Sequence, residues 1–164
     1  MSPRSTERDT LQFVSFIVER RLYGLDIRVV KEINPNVSIA PVPHTPPRLR
    51  GVVNIRGQVV LVIDISVVLG RSPRPITSDS HIVILKTAQE LHRADNPMPP
   101  DDMARFGDKP VAFLVDRIRD VVSVPAQAVE PAPPHLGEAN ARLFQGVFRC
   151  EDEVQVILDA KELL

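Results

Sequence analysis

The sequence predicts a mainly β protein made of two small β-barrels packed together, with few short helices. Short runs rich in Val and Ile recur along the 164 residues, and none of them contains proline, which favours strands over helices. The chain has 16 prolines and 7 glycines, many of which fall between these runs, as expected for turns. Landmarks of the first half return in the second half, which favours two related units. Each unit is too small to bury a large core alone, so the two should pack against each other.

The predicted strands follow one another along the chain as short β-branched runs. In order they are FVSFIV, YGLDIRVV, VVLVIDI, HIVILK, VAFLV, DVVSV and VQVIL. Their length and composition distinguish them from helices, which need longer amphipathic stretches. Only DISVVLG and DAKELL are typical of short helical ends. Asp64 and Asp159 open these two segments, in the place of a helix N-cap.

The internal repeat has two offsets. Gly51 is matched by Gly146, 95 positions later, and the two aspartates that open the helical segments match at the same offset. At an offset of 88, VVKEI at 29–33 falls on RIRDV at 117–121. Period-two alternation alone produces some such matches, but the shared landmarks favour duplication. A groove between two packed units is a common place for a binding site.

The repeat and the turn-rich segments suggest how the chain is divided. We expect a single domain over residues 11–164, with 11–71 forming the first barrel and 81–164 the second. Residues 1–10 are polar and charged, and we expect them to be a flexible N-terminus. The stretch 86–110 is polar and contains proline, which predicts an inserted, mobile surface loop with at most a helical turn at AQELHRA.

The composition argues against several function classes. A net charge of −1 provides no general attraction for nucleic acid or an anionic membrane, and 4% aromatic residues without Trp argue against a base-stacking platform. No run reaches the roughly 20 apolar residues of a membrane span, and the N-terminus has no apolar signal core. The single cysteine, Cys150, cannot form an internal disulfide and fits a reducing compartment. We therefore expect a soluble cytoplasmic protein.

No catalytic or metal-binding pattern stands out. The four histidines lack a partner at a recognised metal-binding spacing, and no nucleophile elbow, phosphate loop or dinucleotide motif occurs. We therefore expect no enzyme activity, no metal and no cofactor. Cys150 lies next to two acidic residues and is expected to be a half-buried structural residue.

Apolar residues flanked by charges mark a candidate binding surface. Under strict strand alternation Ile118 shares a face with Asp116 and Asp120, which would make a partly exposed apolar spot rimmed by charge. A β-bulge would change that facing, so both arrangements stay open. Val30 lies in a similar charged neighbourhood. Arg56, in the NIRG segment before a buried strand, raises the related question of whether its charge serves the fold or a partner.

Five segments in order resemble the CheW-like domain family, the coupling module of bacterial chemotaxis arrays. They are YGLDIRVVKEI, RLRGVVNIRGQVVLVIDI, VAFLVDRIRDV, VEPAPP and GVFRCEDEVQVILD. The resemblance implies two five-stranded SH3-like barrels and a non-enzymatic scaffold that couples chemoreceptors, the methyl-accepting proteins, to the histidine kinase CheA. One barrel would contact the regulatory domain of CheA, and the groove would receive the receptor's cytoplasmic tip. The implied location is cytoplasmic, at membrane-associated arrays, with no nucleic acid partner and no direct membrane insertion.

The resemblance also implies which residues bind. Glu32 and Arg56 match a functionally sensitive charged pair of the family, and the other matches are positions of receptor or kinase contact. The implied protein-binding residues are Val30, Glu32, Gly51, Arg56, Ile118 and Val121. The charged pair could meet a partner or could only pin two loops. The stretch 86–110, longer than the usual short turn, could add a contact or block one.

Two other functions stay open from the sequence. The same scaffold could serve a non-flagellar array, in surface motility or in a regulatory phosphorelay. A small-barrel binder of a ligand or of nucleic acid is the second alternative, and it would need a basic, aromatic-rich face.

Overall fold

Ten β-strands form the protein in a computed structural model, which describes residues 10–93, 98–132 and 138–164. The strands are β1 (Thr10–Val18), β2 (Arg21–Asp26), β3 (Val30–Asn34), β4 (Leu49–Ile55), β5 (Gln58–Asp64), β6 (His81–Leu85), β7 (Val111–Val115), β8 (Arg117–Pro125), β9 (Phe144–Cys150) and β10 (Glu153–Leu158). They make two five-stranded sheets. The first sheet has the order β8-β1-β2-β10-β9, and the second has the order β3-β6-β7-β5-β4.

The helices are few and short, so the mainly β class is confirmed. They are α1 (Ile65–Val68), α2 (Ala88–Arg93), α3 (Pro100–Ala104) and α4 (Ala160–Leu163), with 3-10 turns at Ile27–Val29, Ala126–Ala128 and Glu138–Leu143. Asp64 caps α1 by accepting a hydrogen bond from the Ser66 amide at 3.0 Å, as predicted. Asp159 stands in the same place before α4, but its side chain makes no capping bond. The capping prediction is wrong there because the carboxylate pairs with Lys161 instead.

The sheets do not follow the predicted halves 11–71 and 81–164. The strands β1 and β2 pair with β8 and β10 of the second half, while β6 and β7 pair with β3 and β5 of the first. The junctions β2 with β10 and β7 with β5 are parallel, and the other pairs are antiparallel. A sequence repeat identifies equivalent strands, but it carries no information about which of the two sheets each strand joins.

The repeat itself is visible in the two sheets. In each sheet, three consecutive strands, β3 to β5 or β8 to β10, hold equivalent places, and a hairpin from the other half fills the remaining two. Each sheet forms an SH3-like barrel that is not fully closed. One isolated β-bridge in each barrel extends the strand pairing. Ala40 pairs with Val52 in the second sheet, and Glu130 pairs with Val147 in the first, through backbone hydrogen bonds of 2.8–2.9 Å.

The repeated glycines lie beside these bridges. A Cβ added at Gly51 would lie 2.1 Å from the Ala40 oxygen, and a Cβ added at Gly146 would lie 2.6 Å from the Glu130 oxygen. Real Cβ atoms do not approach an oxygen so closely. The Gly-Val landmark therefore recurs because two backbones come together at the same point of each barrel.

The main hydrophobic core lies between the sheets and joins the two barrels. It contains Phe16 and Tyr23 from the first sheet and Phe113 from the second, all buried. Smaller clusters lie within each sheet; the one in the first sheet includes Phe13 and Phe148, whose ring centroids are 5.6 Å apart. Two units thus pack around a shared core, as predicted from their small size.

The stretch 86–110 contains α2, which corresponds to the helical turn expected at AQELHRA, and α3, which lies where only a mobile loop was predicted. It joins β6 to β7, which pair as antiparallel neighbours. Leu91 and Phe106 are buried in the main core, so apolar burial holds this stretch against the barrels. Residues 94–97 lie outside the described residues. The prediction for 1–10 also lies outside them, except for Thr10, which begins β1.

A capping box begins α2. The Thr87 hydroxyl accepts a hydrogen bond from the Glu90 amide at 3.3 Å, and the Glu90 carboxylate accepts one from the Thr87 amide at 3.1 Å. Glu90 also pairs with Lys31 at 2.9 Å. The inserted stretch is thereby fastened to β3, the strand that carries Val30 and Glu32.

Candidate functional site

Glu32 and Arg56 form an ion pair that links the two edges of the second sheet. Glu32 lies on β3 and Arg56 lies in the turn between β4 and β5, and β3 and β4 are the edge strands of that sheet. The hydrogen bond to Glu32 raises the pKa of Arg56, whose guanidinium is charged at neutral pH even without this bond. Because the Arg56 side chain is 67% exposed, the pair contributes little to stability and the charge is accessible to a partner.

The backbone of the β4–β5 turn sets the direction of Arg56. Arg56 and Gly57 have φ angles of 52° and 84°, which is typical of a tight two-residue hairpin turn. The Gly57 amide donates a hydrogen bond to the Asn54 side-chain oxygen at 2.8 Å. The Asn-Ile-Arg-Gly segment therefore presents its arginine from a closed turn.

The first sheet has a counterpart of this ion pair with the charges reversed. Arg119 of β8 lies 3.8 Å from Glu153, which begins β10. Here the edge strand supplies the cation and the hairpin supplies the anion, whereas Glu32 on β3 is the anion of the other pair. Sequence reasoning missed Arg119 and Glu153. The repeat carried no signal for this pair, because the offset of 88 places Arg119 on Lys31, which has the same charge, and the offset of 95 places Glu153 on the neutral Gln58.

A β-bulge decides which apolar residue of β8 is exposed. Between Ile118 and Val121, two residues of β8 face one residue of β1. Ile118 is half-buried and packs against the main core, while Val121 is 50% exposed. The register of β3 shifts at the equivalent place, between Val30 and Glu32, and Val30 also packs against the main core. Of the two arrangements left open for Ile118, the bulged one is confirmed.

Gly51 is buried on β4 and has a role in the fold. Its φ is 145°, a conformation that side chains rarely adopt, and the bridge to Ala40 leaves no space for a Cβ. It has no side chain to offer to a partner. Any effect of Gly51 on binding would act through the position of β4.

The structure divides the six predicted residues between the two sheets. The ion pair brings Glu32 and Arg56 together, and Val30 shares a strand with Glu32. The second-sheet members are Val30, Glu32, Gly51 and Arg56, and the first-sheet members are Ile118 and Val121. Because β3 and β8 are repeat-equivalent edge strands, the candidate site consists of two related surfaces.

Other chemistry has few candidates in the described part of the chain. Residues 10–93, 98–132 and 138–164 include no group of three or more His, Cys, Asp or Glu side chains placed to hold a metal ion. Cys150 is half-buried beside the cluster of Phe13 and Phe148, as expected. Among the described helices, none combines the length and the apolar character needed to cross a membrane.

Two barrels share one core, and their edge strands β3 and β8 carry exposed ion pairs and the exposed Val121. The chain belongs to the CheW-like domain family, whose model matches residues 12–164. It is 25% identical to the chemotaxis protein CheW of Klebsiella aerogenes, over 93% of this chain and 81% of that protein. It is 24% identical to CheW of Helicobacter pylori, over 99% of this chain and 87% of that protein.

A solved structure has the same architecture. It is the scaffolding protein TtCheW from Thermoanaerobacter tengcongensis, which superposes with a TM-score of 0.73 at 26% identity. The match covers 93% of this chain and 86% of that one. The SH3-like twin-barrel fold implied by the sequence resemblance is therefore confirmed.

Proposed function

We propose that this chain is a non-enzymatic scaffold that couples chemoreceptors to the histidine kinase CheA in a bacterial chemotaxis array. The observation that carries the proposal is the CheW-like family match over residues 12–164, which includes strands of both sheets. The proposed partners are the regulatory domain of CheA and the cytoplasmic tip of a chemoreceptor. The proposed location is therefore the cytoplasmic side of a membrane-associated array.

The proposed contacts use the edges of both barrels. Val121 supplies exposed apolar surface on β8, where burial contributes roughly 25 cal/mol for each Å² removed from water. Arg56 supplies an exposed charge, which favours the correct partner and register over others. Val30 and Glu32 on β3 and Ile118 on β8 are the other proposed contact residues on these edge strands. Gly51 acts by allowing the bridge that positions β4.

A binding assay with separate partners tests the proposal. The chain is immobilised, and a CheA regulatory domain and a receptor signalling tip from the source genome are added one at a time. We expect the wild-type chain to retain both. Val121→Asp should weaken retention of at least one partner by about tenfold or more, because a charge would replace apolar surface in the contact. Val42→Asp, at another exposed valine, is the matched control and should bind like the wild type.

Two results would count against the proposal. Failure of the wild-type chain to bind every array partner encoded in its genome would overturn the coupling function. An equal loss with Val121→Asp and Val42→Asp would show that Val121 is not a specific contact.

A further inference from the structure

Arginines dominate the lining of a cavity that contains none of the six proposed contact residues. The cavity has a volume of about 520 Å³ and lies where the β1–β2 turn meets the segment after α1. Its lining consists of Glu19, Arg20, Arg21, Arg71 and Arg74. In a chain with a net charge of −1, four guanidinium groups around one cavity make a local concentration of positive charge.

Two of these guanidinium groups are held in place by carboxylates. Arg71 pairs with Glu19 at 2.8 Å, and Arg74 donates from Nε to Asp116 at 2.9 Å. A guanidinium has five N–H donors, so each arginine keeps donors for a ligand after making its ion pair. Arg20 is exposed and makes no ion pair with any other described residue.

The backbone that carries Arg71 and Arg74 is fastened to a buried carboxylate. Asp64 is fully buried, and it accepts hydrogen bonds from the Arg74 amide and from the Arg50 side chain, both at 3.1 Å. Arg50 also donates to the Arg74 carbonyl at 2.7 Å. The Ser66 hydroxyl donates a hydrogen bond to the carbonyl oxygen of Ser72 at 2.9 Å. These hydrogen bonds fix the backbone that carries Arg71 and Arg74. This side of the cavity therefore has a defined position, unlike a group of freely moving surface charges.

The charge of this cavity matches one class of ligand. Four arginines against the carboxylates of Glu19 and Asp116 leave a formal charge of +2. A phosphate monoester carries close to two negative charges at pH 7 and presents three acceptor oxygens, which arginine can bind in bidentate fashion. We propose that this cavity binds a phosphate monoester group, carried either by a small soluble molecule or by a lipid headgroup.

Amide NMR titrations at low ionic strength test the site. The probes are glycerol phosphate, for the soluble source, and phosphatidylcholine vesicles with or without phosphatidic acid, for the lipid source. We expect saturable binding in at least one arm, with shifts or broadening centred on Glu19, Arg20, Arg71 and Arg74. Binding should weaken as the pH falls through about 6, where the phosphate loses its second charge.

Two variants separate the cavity from general surface charge. Arg20→Ser should weaken binding about tenfold without changing the fold, because Arg20 lines the cavity and has no described ion pair to lose. Arg149→Ser removes an exposed arginine from β9 and should bind like the wild type. Equal weakening in both variants, shifts scattered over unrelated arginines, or no binding in either arm would overturn the proposal. Retention of CheA and the receptor tip is a separate measurement, which Arg20→Ser should leave unchanged.

Discussion

At the scale of single residues, Arg56 separates a binding role from a folding role. Arg56→Ala removes an ion pair whose cation is largely exposed, so we expect the melting temperature to stay close to that of the wild type. If the proposed coupling function holds, retention of CheA or the receptor tip should fall by about tenfold or more, because the proposed contact loses its exposed charge. Calorimetry and the binding assay measure the two effects. Arg149→Ala is the control for loss of an exposed arginine, and a large fall in melting temperature with retained binding would contradict the prediction.

Gly51 is expected to act in the opposite way, through stability. Gly51→Ala places a Cβ 2.1 Å from the Ala40 oxygen, at a φ of 145°, and should lower the free energy of unfolding by roughly 1–3 kcal/mol or more. Gly146→Ala should cost less, because its nearest contact is 2.6 Å and its φ is not in the left-handed range. Urea unfolding measures both. Gly57→Ala, with φ 84° and open space around it, is the control for backbone strain alone, and a Gly51→Ala variant as stable as this control would contradict the steric argument.

Residue patterns predicted part of the candidate site. The family resemblance pointed to Glu32 and Arg56, which form an ion pair in the structure, and the repeat pointed to Gly51. The orientation of Ile118 could not be predicted, because alternation assumes that strand residues pair one to one. A bulge adds an unpaired residue, and where it falls depends on the partner strand β1. The exposure of Val121 depends on the same pairing with β1.

At the scale of elements, Glu90 is expected to help hold the stretch 86–110 against strand β3. Burial acts to raise the pKa of Glu90, but hydrogen bonds from Lys31 and Thr87 outweigh it, so the pKa is lowered on balance. A carboxylate with a lowered pKa stabilises the folded state above its unfolded pKa, and this contribution is lost as the pH falls through the folded value. Glu90→Ala removes the capping-box bond and the pair with Lys31, and should lower the free energy of unfolding by about 1 kcal/mol at neutral pH.

The pH dependence distinguishes this effect from a general loss of packing. Urea unfolding at pH 6 should separate the wild type from Glu90→Gln, and the difference should shrink as the pH falls below about 4. Gln89→Ala, an exposed neighbour on α2, is the control and should give the same small difference at both pH values. A Glu90→Gln difference that persists unchanged at acidic pH would contradict an electrostatic role.

The elements of this stretch were only partly predictable. The helical turn expected at AQELHRA corresponds to α2, and the spacing of Thr87 and Glu90 is a capping-box signal that was available in the sequence. The burial of Leu91 and Phe106 was not predictable, because apolar residues scattered without a clear period among polar ones do not indicate contact with a distant core. Proline and polar residues favoured a loop, and contact with the main core overrode that preference.

At the scale of the whole molecule, the strand pattern and the repeat predicted two barrels around a shared core, but not the exchange of strands between halves. Neighbouring strands in the chain usually pair, so the prediction assigned each half to its own barrel. The hairpins β1–β2 and β6–β7 instead complete the sheet of the other half. Equivalent strands present similar edges, so local sequence does not distinguish the two ways of joining them.

This exchange predicts that the two halves of the chain fold only together. If the chain is cut in the segment between α1 and β6, giving fragments 1–76 and 77–164, each fragment lacks strands of both sheets and half of the main core. We expect each fragment alone to be unfolded, and an equimolar mixture to recover the native circular dichroism and amide NMR dispersion. Phe16→Asp in the first fragment should prevent recovery, because Phe16 is fully buried between the sheets. Cooperative unfolding of the isolated fragment 77–164 would contradict the prediction, since a self-contained barrel would need no strands from the other half.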